Sequence, residues 1–88
     1  MKTVFLLMAQ YDARAIIPLE LVCRDYFTHL TPAQLSRKAT EGKVDIPITR
    51  IEGSQKAALG VHVKDLADYI DKRREAALKE CNQLHGRR

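Results

Sequence analysis

The stretch Pro18-Leu19-Glu20-Leu21-Val22-Cys23-Arg24-Asp25-Tyr26-Phe27, followed after three intervening residues by Thr31-Pro32-Ala33-Gln34-Leu35, decides how this chain folds. Leu19, Val22, Cys23, Tyr26 and Phe27 recur at spacings of three and four, which places them on one buried face of a helix. Pro18 disfavours helix in Ile17 and suits the first position of a helix after it, and Glu20 sits in the first turn, where the helix dipole favours an acid. A second helix starts at Thr31. Its hydroxyl can cap the chain, Pro32 can take the first helical position, and Gln34 can close a capping box. With Leu35 and Ala39 inward, a rotation of 100° per residue points Ala33, Gln34, Arg37, Thr40 and Glu41 outward. Gly42 supplies a left-handed stop.

Downstream the period changes. Ile46, Ile48 and Ile51 lie among Pro47, Thr49 and Arg50 in a β-rich stretch, with Pro47 confining the strand to an edge or to its first positions. The segment from Gly53 to Gly60 is bounded by glycines, and Val61-His62-Val63 then alternates, so a hairpin with a long tip is expected. The last helix, Lys64 to about Leu84, carries Asp65 and Asp68 near its start and Leu66, Ile70, Ala77, Cys81 and Leu84 on one side. At 1.5 Å per residue it is roughly 30 Å long, more than so small a domain covers. Ile70, Ala77, Cys81 and Leu84 are therefore the candidate oligomerisation residues. Upstream, Val4 to Ala9 is a continuous apolar run that suits either a helix or a strand. Asp12 to Arg14 is a polar break, and Ala15, Ile16 and Ile17 form a brief extended run.

The expected fold is mainly α with a small β-hairpin: a winged helix-turn-helix with a long C-terminal helix, one domain over 1–88. The helix-turn-helix occupies about 18–42, the wing about 45–63 and the C-terminal helix about 64–84.

An 88-residue chain holds one core, and 45% hydrophobic with 30% charged residues indicates an ordered globular protein. The formal net charge is +4. Residues 1–30 and 64–84 are balanced, so the surplus falls in 31–63 and in Arg87 and Arg88. Charge alone leaves a solvated basic face and a nucleic-acid surface as equal readings. Cys23 and Cys81 form no metal-ligand spacing with each other or with His29, His62 and His85, and thiols in a reducing cytosol are the simplest account. Met1-Lys2 and the short apolar run after it have the look of a signal peptide, but with no A-x-A site the run is read as part of the fold. No stretch approaches a bilayer span. No G-x-G-x-x-G, P-loop, H-E-x-x-H or nucleophile context occurs, so the chain is not expected to be an enzyme, and no cofactor or metal is called for.

The basic surplus coincides with the second helix and the wing. Arg37 points away from the Leu35/Ala39 face, so it is the candidate for a guanine edge, with phosphate contact or a solvated role as competing readings. Gln34 can read adenine or serve the capping box. Thr31 and the amides at that helix start can accept a phosphate, although capping is the simpler use. Lys38, Lys43, Arg50 and Lys56 are candidates for phosphate neutralisation, and Ser54 and Gln55 supply neutral donors at the tip.

The runs from Phe5 to Tyr11, Ile17 to Phe27, Ile46 to Lys56, Gly60 to His62 and Asp65 to Asp71 resemble the pyocin activator family, over nearly the whole chain. Thr31 to Val44 and the tail after Gln83 match loosely. The resemblance implies a transcriptional activator of phage-tail-like bacteriocin genes, acting in the cytoplasm at a short repeated element of duplex DNA. Its implied partners are that DNA and RNA polymerase, and the open stripe on the last helix adds the expectation of a homodimer or a higher assembly on the DNA. It carries Arg50, Gly53, Ser54, Gln55 and Lys56 over as the matching wing motif. Two other functions fit the same scaffold: an excisionase-like or architectural DNA-bending protein, and a protein-interaction adaptor using the hairpin edge and long helix.

Overall fold

The computed structural model describes residues 2–54 and 56–86. Along them run α1 (Thr3–Gln10), β1 (Ile16–Pro18), α2 (Leu19–Tyr26), α3 (Pro32–Thr40), β2 (Thr49–Arg50), β3 (Leu59–His62) and α4 (Val63–Leu84). The chain is mainly helical, with four helices and one three-stranded antiparallel sheet of order β1-β3-β2 among the described residues.

The apolar run near the start is a helix. Leu7 and Tyr11, four residues apart, are buried and Val4 packs beside them, while Phe5 and Leu6 face outward. The turn after α1 is tight: Asp12 and Ala13 both adopt positive φ, 55° and 59°, and Ala13 N–H donates to the Met8 carbonyl at 2.6 Å. For a residue with a Cβ this conformation costs about 1–2 kcal/mol, so the packing on both sides must hold it.

The extended run before α2 joins a sheet rather than standing alone. Ile17 pairs with Val61 and Ile16 with His62, so the hairpin expected from sequence is the outer part of a three-stranded sheet. The Ile17 and Val61 side chains are both fully buried, which couples this pairing to core formation. Pro18 ends β1 and is the N-cap of α2.

In α2, Leu19, Val22 and Cys23 are buried as their spacing requires, and burial pushes the Cys23 thiol up from its ordinary value. Tyr26 departs from that face. It is 38% exposed, and its hydroxyl donates to Gln10 Oε1 at 2.8 Å, so an aromatic residue at the end of the helix links α2 to α1 instead of filling the core.

The strand expected across Ile46 to Ile51 is much shorter. Only Thr49 and Arg50 pair, with Gly60 and Leu59 respectively. Pro47 has no N–H to donate, and Ile46 is drawn into the core as a loop plug. Ile51, at the far end, is 61% exposed.

In α4, Val63, Leu66 and Ala67 close the core, and Thr3 Oγ1 donates to Asp71 Oδ1 at 2.6 Å to hold the start of α1 against it. His62 caps the helix, its Nδ1 accepting from the Lys64 N–H at 3.0 Å. Beyond Arg73 the helix runs past the domain, which is why the molecule measures 50 × 29 × 20 Å. Leu84 is 84% exposed.

Candidate nucleic-acid interface

Helix α3 is built as its sequence dictates. Gln34 N–H donates to Thr31 Oγ1 at 3.2 Å and Thr31 N–H donates to Gln34 Oε1 at 2.9 Å, the reciprocal capping box with Pro32 at the first turn. Leu35 is fully buried and Ala39 packs against the core. Ala33, Gln34, Arg37, Thr40 and Glu41 are all exposed. The helix ends at Gly42, whose φ of 76° is the left-handed conformation that glycine adopts without steric cost.

The exposed side of α3 borders the hairpin. Pro32, Ala33, Ser36 and Arg37 of α3 line one open groove of about 530 Å³ together with Leu19 and Glu20 of α2 and Ala57, Ala58 and Leu59 on the returning side of the hairpin. Sequence reasoning did not pick out Ser36 or Glu20. Neither carries the charge signal used to find a DNA surface, and their proximity to the hairpin is set only by packing.

The remaining candidates divide between distinct places. Arg50 and Ser54 organise the hairpin tip: Arg50 Nη1 donates to the Ser54 carbonyl at 3.3 Å, and Ser54 Oγ accepts the Lys56 N–H at 3.1 Å. Lys56 is exposed. Gln55 lies outside the described residues. Lys38 is half-buried, and its carbonyl accepts from the N–H groups of Lys43 and Val44, fastening the turn after α3. Lys43 pairs with Glu41 at 3.3 Å and lines a different hollow, with Asp45, Tyr69, Lys72 and Arg73. Lys72 and Arg73, about thirty residues away in a charge-balanced segment, could not have been grouped with Lys43 from sequence. Lys72 is paired with Asp45 at 2.9 Å.

Of the oligomerisation candidates, Ile70 and Cys81 are half-buried, Ile70 against the core, while Ala77 and Leu84 are exposed. Cys23 and Cys81 form no disulfide.

Helices α1 and α2 are braced against each other by a polar network centred on Asp25. Arg24 grips both carboxylate oxygens at 2.8 and 3.0 Å, Tyr11 donates its hydroxyl at 2.6 Å and Gln10 its amide at 3.3 Å. These donors, Arg24 foremost, lower the Asp25 carboxyl from its ordinary 3.8 to about 2. Tyr11 is pushed the other way, first by burial and then by its bond to the carboxylate. Because the folded carboxyl is the stronger acid, its contribution is present above 3.8 and is lost as pH falls toward 2. Denaturant midpoints are accordingly expected to fall across that acid window. Asp25→Asn should flatten the fall, and an unchanged acid limb would refute the assignment.

Among the described residues no helix is long and apolar enough to cross a membrane, and no group of three or more His, Cys, Asp or Glu side chains is placed to hold a metal ion.

The geometry defines a small, mainly helical protein that presents one helix and one hairpin side by side. The sequence profile described as pyocin activator protein PrtN matches residues 3–77 of the 88, and the chain belongs to that family. Searches among curated proteins and among solved structures returned no significant match.

Proposed function

We propose that this chain is a sequence-specific DNA-binding transcriptional activator of pyocin genes and that it acts in the cytoplasm, without catalytic activity of its own. In this reading α2 and α3 are a helix-turn-helix, α3 enters the major groove, and the β2–β3 hairpin is the wing on the flanking backbone. The observation that carries it is the shared groove: Arg37 of α3 and Ala57 to Leu59 of the hairpin line a single concavity, so one duplex can touch both.

Arg37 is assigned to a base edge, where its guanidinium can bond guanine at two atoms, with Gln34 beside it. Gln34 and Thr31 already serve the capping box, so their contacts to DNA are additional to that role. Lys38, Lys43, Arg50 and Lys56, with Ser54 and Gln55, are assigned to phosphates. Arg24 is left out because its guanidinium is held by Asp25. Activation follows from the family, with RNA polymerase as the partner. Association into a dimer or a higher assembly is assigned to Ile70, Ala77, Cys81 and Leu84.

Titration of the protein against a pyocin promoter fragment and a scrambled duplex, each at two salt concentrations, tests the reading. Tighter promoter binding at both salts, with affinity falling as salt rises, is expected. Equal affinity for the two duplexes at every salt would overturn it.

A further inference from the structure

Helix α1 is apolar on every side. Val4 and Leu7 face the domain, yet Phe5, Leu6 and Met8 are exposed, the first two by 54% and 55%, and no residue from Thr3 to Gln10 is charged. A helix that is apolar all round is ordinarily buried all round, so the outer face of α1 lacks a cover. The projecting half of α4 is open in the same way. Beyond Arg73 no described side chain of this helix is buried, and Ala77, Cys81 and Leu84, with Leu78 at their edge, share one face that begins a turn above Arg74. Leu78 and Leu84 are both exposed.

These two faces match each other. Both are uncharged, and both are eight residues long, 3–10 and 77–84, or about 12 Å at 1.5 Å per residue. Neither is large. Either alone offers at most a few hundred Å², short of the roughly 800 Å² per partner that a stable pair buries, whereas the two together come near the apolar share of such an interface. Within one chain they cannot meet. Thr3 fastens α1 to α4 at Asp71, Val4 lies beside Ala67, and from there α4 runs on as one unbroken helix past α1 rather than over it. A second copy related by a two-fold axis removes that obstacle, because each projecting helix then reaches the other copy's α1 and the contact is made twice. Val63, Ala67 and Ile70, which the domain covers, take no part in it.

We propose that two copies of this chain associate by exchanging these contacts, the projecting half of each α4 lying on the outer face of the other copy's α1. This rests on the oligomerisation assigned above and names the surface that receives the helix.

Sedimentation equilibrium without DNA tests it, with circular dichroism to confirm that each variant keeps its helix content. Leu6→Glu alone and Leu84→Arg alone are each expected to raise the dimer dissociation constant about tenfold or more, because each sets a charge against apolar surface in both contacts. An equimolar mixture of the two variants should associate more tightly than either one. A mixed pair keeps one contact unaltered, and in the other the new carboxylate lies beside the new guanidinium. A protein monomeric at every concentration, or a mixture no tighter than its components, would overturn the proposal. So would a loss of association through only one of the two variants, the result expected if α1 met α1 or tail met tail. A monomer that still discriminates promoter DNA would overturn this pairing and leave the function above intact. A dimer that behaves as described but binds all duplexes alike would support the pairing and overturn the function.

Discussion

Replacing Gly60 by alanine is expected to lower the melting temperature by about 10–20 °C, the response of a domain of this size to a loss of about 2–3 kcal/mol. Gly60 is buried in the central strand and is paired on both sides, with Pro18 of β1 and with Thr49 of β2. A Cβ there would lie 2.5 Å from Cγ2 of Ile16 and 2.7 Å from the carbonyl oxygen of Ile17. The first contact is with a side-chain methyl, which a rotamer change can relieve at some expense in packing. The second is with backbone and can be relieved only by moving β1 away from β3. That movement would draw the buried Ile17 off Val61 and strain the bond by which Val63 N–H donates to the Ala15 carbonyl at 2.8 Å. The start of α4 would lose its anchor at the same time. Thermal unfolding followed by circular dichroism checks the expectation, and an alanine variant melting within a degree or two of wild type would show that the sheet is looser than the geometry says.

Arg37→Ala is expected to cost about 1–3 kcal/mol of binding to the promoter sequence while leaving binding to a scrambled duplex nearly unchanged. The side chain is exposed, so folding should not suffer, and its place on the wall shared with the hairpin puts it where a base edge would be met. Lys56→Ala is the informative contrast. A phosphate contact carries no sequence information, so this change should weaken binding to both duplexes alike and reduce the salt slope by about one. Fluorescence anisotropy over a salt series separates the two patterns. Were Arg37→Ala to weaken both duplexes equally, Arg37 would be a phosphate contact, and base readout would have to be sought elsewhere on α3, beginning with Gln34 and Ser36.

Several features of α3 were legible because they depend only on near neighbours. The Thr31/Gln34 capping box spans four residues, and the left-handed stop needs only Gly42 after the last turn. Once Leu35 was placed inward, the geometry of a helix put Arg37 outward without reference to the rest of the chain. The apolar stripe of Leu66, Ile70, Ala77, Cys81 and Leu84 along α4 has the same local origin. The family resemblance was confirmed over residues 3–77.

Other features were settled by residues far apart in sequence. The run from Val4 to Ala9 is uniformly apolar, so its period could not distinguish helix from strand, and its helical form follows from packing Leu7 and Tyr11 into the core. β1 gained its partner only when Ile17 and Val61 met as fully buried neighbours. Ile46, Ile48 and Ile51 looked like one strand because their spacing is nearly regular, yet none of them lies in β2, with Ile46 buried in the core ahead of the strand and Ile51 exposed beyond it. Tyr26 has helical spacing for the core but ends α2 at a surface where Gln10 offers its hydroxyl a bond.

The sequence by itself thus determined where α2 starts, where α3 starts and stops, which way Arg37 points, and that the last helix outruns its domain. These are matters of capping chemistry, helical rotation and length. Only the tertiary structure decided that the hairpin lies against the outward side of α3, that β1 completes the sheet, and that Lys43 belongs with Lys72 and Arg73. Such neighbours are brought together by burial of a common core, and no local pattern encodes which surfaces that burial leaves side by side.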